Sequence, residues 1–206
     1  MSDKITIIGS ETSPFVRMIR MVAEELGAPY DLELTSFFAK NTTGQERLVL
    51  DNNPLMKVPI VQHGENAIFE TRVIVAYLLK NFVSKSDFRS NFPKSFGEEN
   101  IVSTILGIVE AGVLSFILKA THPEIKADEG YLARSKERMQ SGLEWLNGQE
   151  KLGESFGVPE TLLVCALDWF KKRNVIEWSN YNHLVGIHAR YQDRDSVINT
   201  RIPENA

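Results

Sequence analysis

Three short strings in the 206-residue sequence place polar groups where chemistry can be done. Thr12-Ser13-Pro14 sets two adjacent hydroxyls before a helical pattern, and a helix N-terminus stabilises anions, a thiolate included. The single cysteine, Cys165, lies far along the chain, so dithiol oxidoreduction at this junction is excluded. A hydroxyl there can instead donate a hydrogen bond to the thiolate of a bound thiol, which favours the charged form and lowers the thiol pKa. The same hydroxyl also suits a plain helix N-cap. Lys57-Val58-Pro59 sets a proline at the start of a strand and leaves the Val58 backbone N–H and C=O for strand-like pairing with a peptide. An ordinary edge-strand proline is the simpler alternative. Glu70-Thr71 stands at a strand end and a helix start, with Thr71 as a good N-cap. Free N–H groups at such a start bind a carboxylate, the Thr71 hydroxyl adds a donor, and Glu70 can hold an ammonium.

The elements that must position these strings follow from hydrophobic period and turn residues. Ile5-Thr6-Ile7-Ile8, closed by Gly9, reads as a buried strand. Pro14 opens a helix with Phe15, Ile19, Val22, Ala23 and Leu26 on one face, Arg17, Arg20, Glu24 and Glu25 elsewhere, and Gly27 past its end. Tyr30 to Leu34 alternates as a second strand, and residues 36–52 read as a loop with a short helix. Val58 to Val61 and Ala67 to Phe69 flank a turn at His63-Gly64-Glu65-Asn66, the pattern of a hairpin with His63 turned to solvent. A helix from Thr71 carries Val73, Ile74, Tyr77 and Leu78. A βαβ unit joined to a ββα unit gives a small mixed sheet with helices on it, a thioredoxin-like domain over 1–82.

Residues 83–97 lack periodicity and are rich in Ser, Lys, Gly and Pro, the composition of a linker. Beyond it, 98–206 reads as an all-helical bundle, with helices near 98–119, 128–147, 159–172 and 181–191. Charge is spread evenly, near −2 on either side of residue 82, so no basic arm points to nucleic acid or a membrane surface. The apolar start of the chain is too short for a signal peptide core, and no later run approaches the roughly 18 apolar residues of a membrane span. A cytoplasmic protein is the expectation. Cys165 reads as buried packing, His183 and His188 stand too far apart on a helix to pair on a metal, and no metal is expected.

With Pro59 placed like the cis-proline of thioredoxin-like folds and Ser13 at the first cysteine position of the redox motif, the chain resembles the cytosolic glutathione transferase family. The strings that carry the resemblance are Ser13-Pro14-Phe15-Val16-Arg17, Asn53-Pro54-Leu55-Met56-Lys57-Val58-Pro59, and Phe69-Glu70-Thr71-Arg72 leading into Val75-Ala76-Tyr77-Leu78. The tail, Arg194-Asp195-Ser196 to Thr200-Arg201-Ile202-Pro203, is similar to the family's closing pattern. The sixth-helix start departs from it: Gly157-Val158-Pro159-Glu160 replaces a Ser/Thr cap.

The resemblance implies a serine-type, bacterial-like member with a tau- or theta-like site. Ser13 would activate the glutathione sulfur, with Thr12 as the alternative one residue away. Val58 would pair with the cysteinyl backbone, Glu70 and Thr71 would hold the γ-glutamyl group, and Lys57 and Lys40 would face the glycyl carboxylate. Phe15 would line the pocket for a small hydrophobic electrophile. Glutathione is then co-substrate, the activity that of a detoxifying transferase of alkyl or aryl groups, and the assembly a homodimer. Glutathione-dependent isomerisation or dehalogenation, as in zeta-like branches, and a non-catalytic binding or regulatory role, as in the bacterial stringent starvation family, are the competing readings.

Overall fold

The computed structural model describes residues 4–35, 45–83, 87–126 and 129–204. Contacts group the chain into two compact units, one of Met1–Ser90 with Asp193–Ala206 and one of Asn91–Gln192.

In the first unit the elements run β1 (Ile5–Gly9), α1 (Pro14–Glu25), β2 (Tyr30–Leu34), α2 (Gln45–Asn52), β3 (Ile60–His63), β4 (Asn66–Phe69) and α3 (Thr71–Asn81). The sheet order is β2-β1-β3-β4. β1 runs parallel to β2 and antiparallel to β3, and β3 runs antiparallel to β4. This is the thioredoxin-like arrangement. Ile5, Ile7, Ile8, Ile60 and Val61 are buried in the sheet, and Ile74 and Leu78 of α3 are buried with them. Gly9 is required by close approach: a Cβ there would run into the Val16 side chain of α1.

α1 is buried nearly all round, Arg17, Arg20 and Glu25 included. The expected polar face is covered by the C-terminal segment, which forms a short helix, α8 (Asp195–Asn199), packed on α1. Arg17 Nη2 donates to the Val197 carbonyl and Arg20 Nη2 to that of Asn199. The tail, expected with the helical half, therefore belongs by contact with the sheet-bearing unit. Periodicity gave no sign of this, because the bonds that hold it join residues about 170 positions apart.

Among the described residues, the elements of the second unit are all helices: α4 (Phe96–Thr121), α5 (Gly130–Asn147), α6 (Val158–Arg173) and α7 (Asn182–Tyr191). α4 begins at Phe96, two residues earlier than expected. Ser95 caps it by accepting from Glu98 N at 3.3 Å, and the Glu98 carboxylate accepts from Lys94 N. α4 also corrects the expectation of no span-length apolar run. By length and composition it could cross a membrane, with an 18-residue window of mean hydropathy 2.2. Here it packs on α5 and α6 and buries Ile101, Val102, Ile105, Ile108 and Val109, as the central helix of a bundle does. Cys165 is fully buried in α6, as expected.

Candidate functional site

The sheet register brings the three strings together. Ile8 of β1 pairs with Ile60 of β3, and Ile60 pairs with Phe69 of β4. Because β3 runs opposite to its two neighbours, the chain leaves β1 after Gly9, enters β3 from Pro59, and leaves β4 into Glu70 at one edge of the sheet. Strands lie about 4.8 Å apart, so this three-strand row spans only about 10 Å. Ser13, Val58 and Glu70 emerge along it. Gly9 pairs with Leu34, so β2 ends at the same edge. Lys40 lies outside the described residues.

Ser13 is the N-cap of α1, with extended backbone, and its Oγ accepts from Val16 N at 3.4 Å. That bond uses an oxygen lone pair and leaves the hydroxyl proton to be donated. Pro14 fills the first turn, which carries no acidic residue, so the positive end of the helix dipole is not offset locally. Thr12 is differently engaged: its Oγ1 lies 2.9 Å from Ser10 Oγ, which also accepts from Thr12 N. The Ser10 carbonyl accepts from Ser13 N at 3.0 Å, closing the turn that delivers Ser13 to the helix start. Phe15 is half-buried beside it.

The Val58–Pro59 peptide bond is cis, and Pro59 is buried while Val58 stays half-exposed ahead of the β3 ladder. The preceding loop is organised by Asn53, which is 1% exposed. Asn53 Oδ1 accepts from Leu55 N at 2.9 Å, and its Nδ2 donates to the Lys57 carbonyl at 2.7 Å. The Asn53 carbonyl accepts from Met56 N, and Met56 takes a left-handed backbone with φ 52°. Lys57 is exposed at the end of this loop. The sequence shows Asn53 only as a member of its string; nothing there signals that its amide spans the loop.

At the third string the residue roles shift by one. Glu70, not Thr71, occupies the N-cap position of α3, without a side-chain cap bond, and Thr71 is the first helical residue and is buried. The Thr71 reading was led astray by cap preference, which favours Thr over Glu. Glu70 has φ 68° and ψ 126°, a conformation that side chains with a Cβ rarely adopt. Such outliers cost about 1–3 kcal/mol and gather at ligand clamps. The first helical hydrogen bond is Ile74 N to the Glu70 carbonyl, and the first turn of α3 holds no acidic residue that would compete for an anion.

His63 is not turned to solvent as expected. It ends β3 half-buried, with Nδ1 2.7 Å from the Tyr77 hydroxyl and its ring stacked on Phe82. In the helical unit His188 Nε2 pairs with Asp168 Oδ1 at 2.6 Å, whereas His183 meets the Gln149 carbonyl, so the two serve separate contacts.

Residues 7–86 match the family model of the glutathione S-transferase N-terminal domain. An uncharacterized GST-like protein of Escherichia coli (strain K12), YibF, is 25% identical over 205 residues, covering 96% of this chain and 98% of the relative. A glutathione S-transferase from Methylobacterium radiotolerans, solved in complex with glutathione sulfonate, superposes with a TM-score of 0.82 at 20% identity over 97% of this chain and 95% of that one. One from Methylobacillus flagellatus, solved with glutathione bound, gives 0.81 at 22% identity over 97% of this chain and 100% of that one. The chain thus has the glutathione transferase fold, its residues 7–86 matching that family's N-terminal domain.

Proposed function

We propose that this protein is a glutathione transferase that activates the glutathione thiol through the Ser13 hydroxyl for attack on a small hydrophobic electrophile. The observation that carries the reading is the emergence of Ser13, Val58 and Glu70 along one row of the sheet, with Glu70 held at φ 68°. Glutathione is an extended tripeptide with a carboxylate and ammonium on one carbon at one end, a thiol in the middle and a carboxylate at the other. The helix start at Thr71 and the Glu70 carboxylate suit the first. The Val58 backbone suits the cysteinyl main chain, and Lys57, with Lys40, suits the glycyl carboxylate. Donation from Ser13 and the dipole of α1 favour the thiolate over the thiol, whose ordinary pKa is about 8.5. The thiolate then forms a carbon–sulfur bond as the leaving group departs from the electrophile, with rate gained from held proximity. Phe15, next to Ser13 in the first turn, would face that partner.

The neighbours solved with glutathione or its sulfonate support this reading. It carries with it a cytoplasmic location and a homodimer, and light scattering on the purified chain would test the dimer. The decisive experiment for function is calorimetric titration with glutathione, followed by an assay with a chlorinated nitrobenzene acceptor. Absence of detectable glutathione binding would overturn the proposal.

A further inference from the structure

We infer that Asn53 is a positioning residue for the glutathione site: it sets the Lys57 carbonyl, and through it the Val58 main chain and the Lys57 side chain, to receive the cysteinyl–glycyl half of the ligand. The inference rests on the glutathione reading above and says which residue builds the part of that site with no helix or ladder to hold it.

Residues 54–59 lie between the end of α2 and the start of β3, outside both elements, while Asn53 N still donates to the Val49 carbonyl of α2 at 2.8 Å and anchors the amide at the loop's start. A loop that must present main-chain groups to a ligand loses affinity through every conformation it samples unbound. Here one buried amide spans the turn. Both ends of the Asn53 side chain are used, Oδ1 on Leu55 N and Nδ2 on the Lys57 carbonyl, while its own carbonyl accepts from Met56 N. The left-handed Met56 lies inside this bridge, just before Lys57. Next door, Asn52 Oδ1 accepts from Gln62 Nε2 and ties the end of α2 to β3. The Lys57 carbonyl belongs to the peptide unit that contains the Val58 N–H, so holding that oxygen at 2.7 Å orients the donor that a cysteinyl main chain would meet.

Asn53 is remote in the chain from Ser13 and binds none of the groups around it, so its loss should weaken binding without altering thiol activation. The test titrates wild type, Asn53→Ala and Asn53→Asp with glutathione by calorimetry. The ionisation of the bound thiol is then followed by thiolate absorbance across pH. Asp keeps the acceptor for Leu55 N and the side-chain shape but sets a carboxylate against the Lys57 carbonyl. The expected result is a Kd raised about tenfold or more in both variants at unchanged stoichiometry, with the bound-thiol titration where it is in wild type. A double-mutant cycle with Lys57→Ala should show non-additive losses. Wild-type affinity in both variants overturns the inference and leaves the glutathione reading standing. A displaced thiol titration overturns it as well, by placing the effect at Ser13. Failure of both variants to fold, seen in far-UV circular dichroism, makes Asn53 a requirement of the fold and overturns the positioning role. If wild type itself does not bind glutathione, the functional reading and this inference fall together.

Discussion

At the Ser13 oxygen, acceptance from Val16 N and donation to a ligand sulfur do not compete, because they use a lone pair and a proton respectively. One residue therefore both starts the helix and serves the site. Replacing Ser13 by Ala removes a hydrogen bond to a charged sulfur, worth about 1.5–3 kcal/mol, so turnover at neutral pH should fall about 10- to 100-fold. The bound thiol should also titrate nearer its free value, which absorbance of the glutathione complex would read. Thr12→Ala should change activity less than about threefold, because the Thr12 hydroxyl is already paired with Ser10. If Thr12→Ala is the crippled variant, the roles are reversed. Glu70→Gln keeps size and removes the charge offered to an ammonium. Glutathione should then bind about tenfold more weakly, by calorimetry, with the melting temperature of the free protein nearly unchanged.

At the scale of elements, strands and helices were largely legible because their signals are local. β-branched runs closed by glycine gave β1, Pro14 after Ser13 gave the start of α1, and the turn at Gly64 gave the hairpin of β3 and β4. What sequence could not show was made by bonds between elements or by unusual backbone. The φ of Glu70 and the Asn53 bridge have no periodic signature. At α6 the sequence does show Gly157 as a weaker cap with Glu160 at the third position of a capping box, and the structure adds a second bond to it. Gly157 offers no side-chain cap, as expected, yet the helix start is not left unsatisfied. The buried Glu160 carboxylate accepts from Gly157 N and Gly153 N, each at 3.0 Å. Gly153 sits at φ 91° against Ile187, and its carbonyl accepts from Arg190 Nη1 and the Tyr191 hydroxyl. Glu160 thus joins the loop before α6 to the helix itself, and α7 fastens that loop from its other side. Glu160→Ala would strand two buried N–H groups and should lower unfolding free energy by about 2–4 kcal/mol in a denaturant titration, leaving glutathione affinity of the folded protein unchanged.

Across the whole chain, the decisive long-range tie is Arg194. It lies in the sheet-bearing unit, where it meets Glu25 through Nε and Nη2 at 3.0 and 2.8 Å, while Nη2 reaches Asp87 Oδ1 at 2.7 Å. Ser196 adds a hydroxyl donor to Glu25, which is almost wholly buried. Hydrogen bonds to these carboxylates, Glu25 foremost, raise the Arg194 pKa beyond any working pH, so its charge is constant. Arg194→Ala leaves the Glu25 carboxylate buried without its cation and should cost about 3–5 kcal/mol of unfolding free energy. Adding Glu25→Gln should recover part of that loss, because the stranded charge is gone; no recovery would argue against the charge as its source. Asp87 gives a separate reading by pH. Its hydrogen bond to Arg194 holds its pKa below the ordinary 3.8, so whatever it contributes is present above that value and lost as pH falls through the lower folded one. Asp87 is exposed, so the contribution is small. The stability gap between wild type and Asp87→Asn should therefore be modest and constant from about pH 5 to 8, and close in more acidic solution. A gap that persists in strong acid would show that Asp87 acts through packing and not through its charge on Arg194.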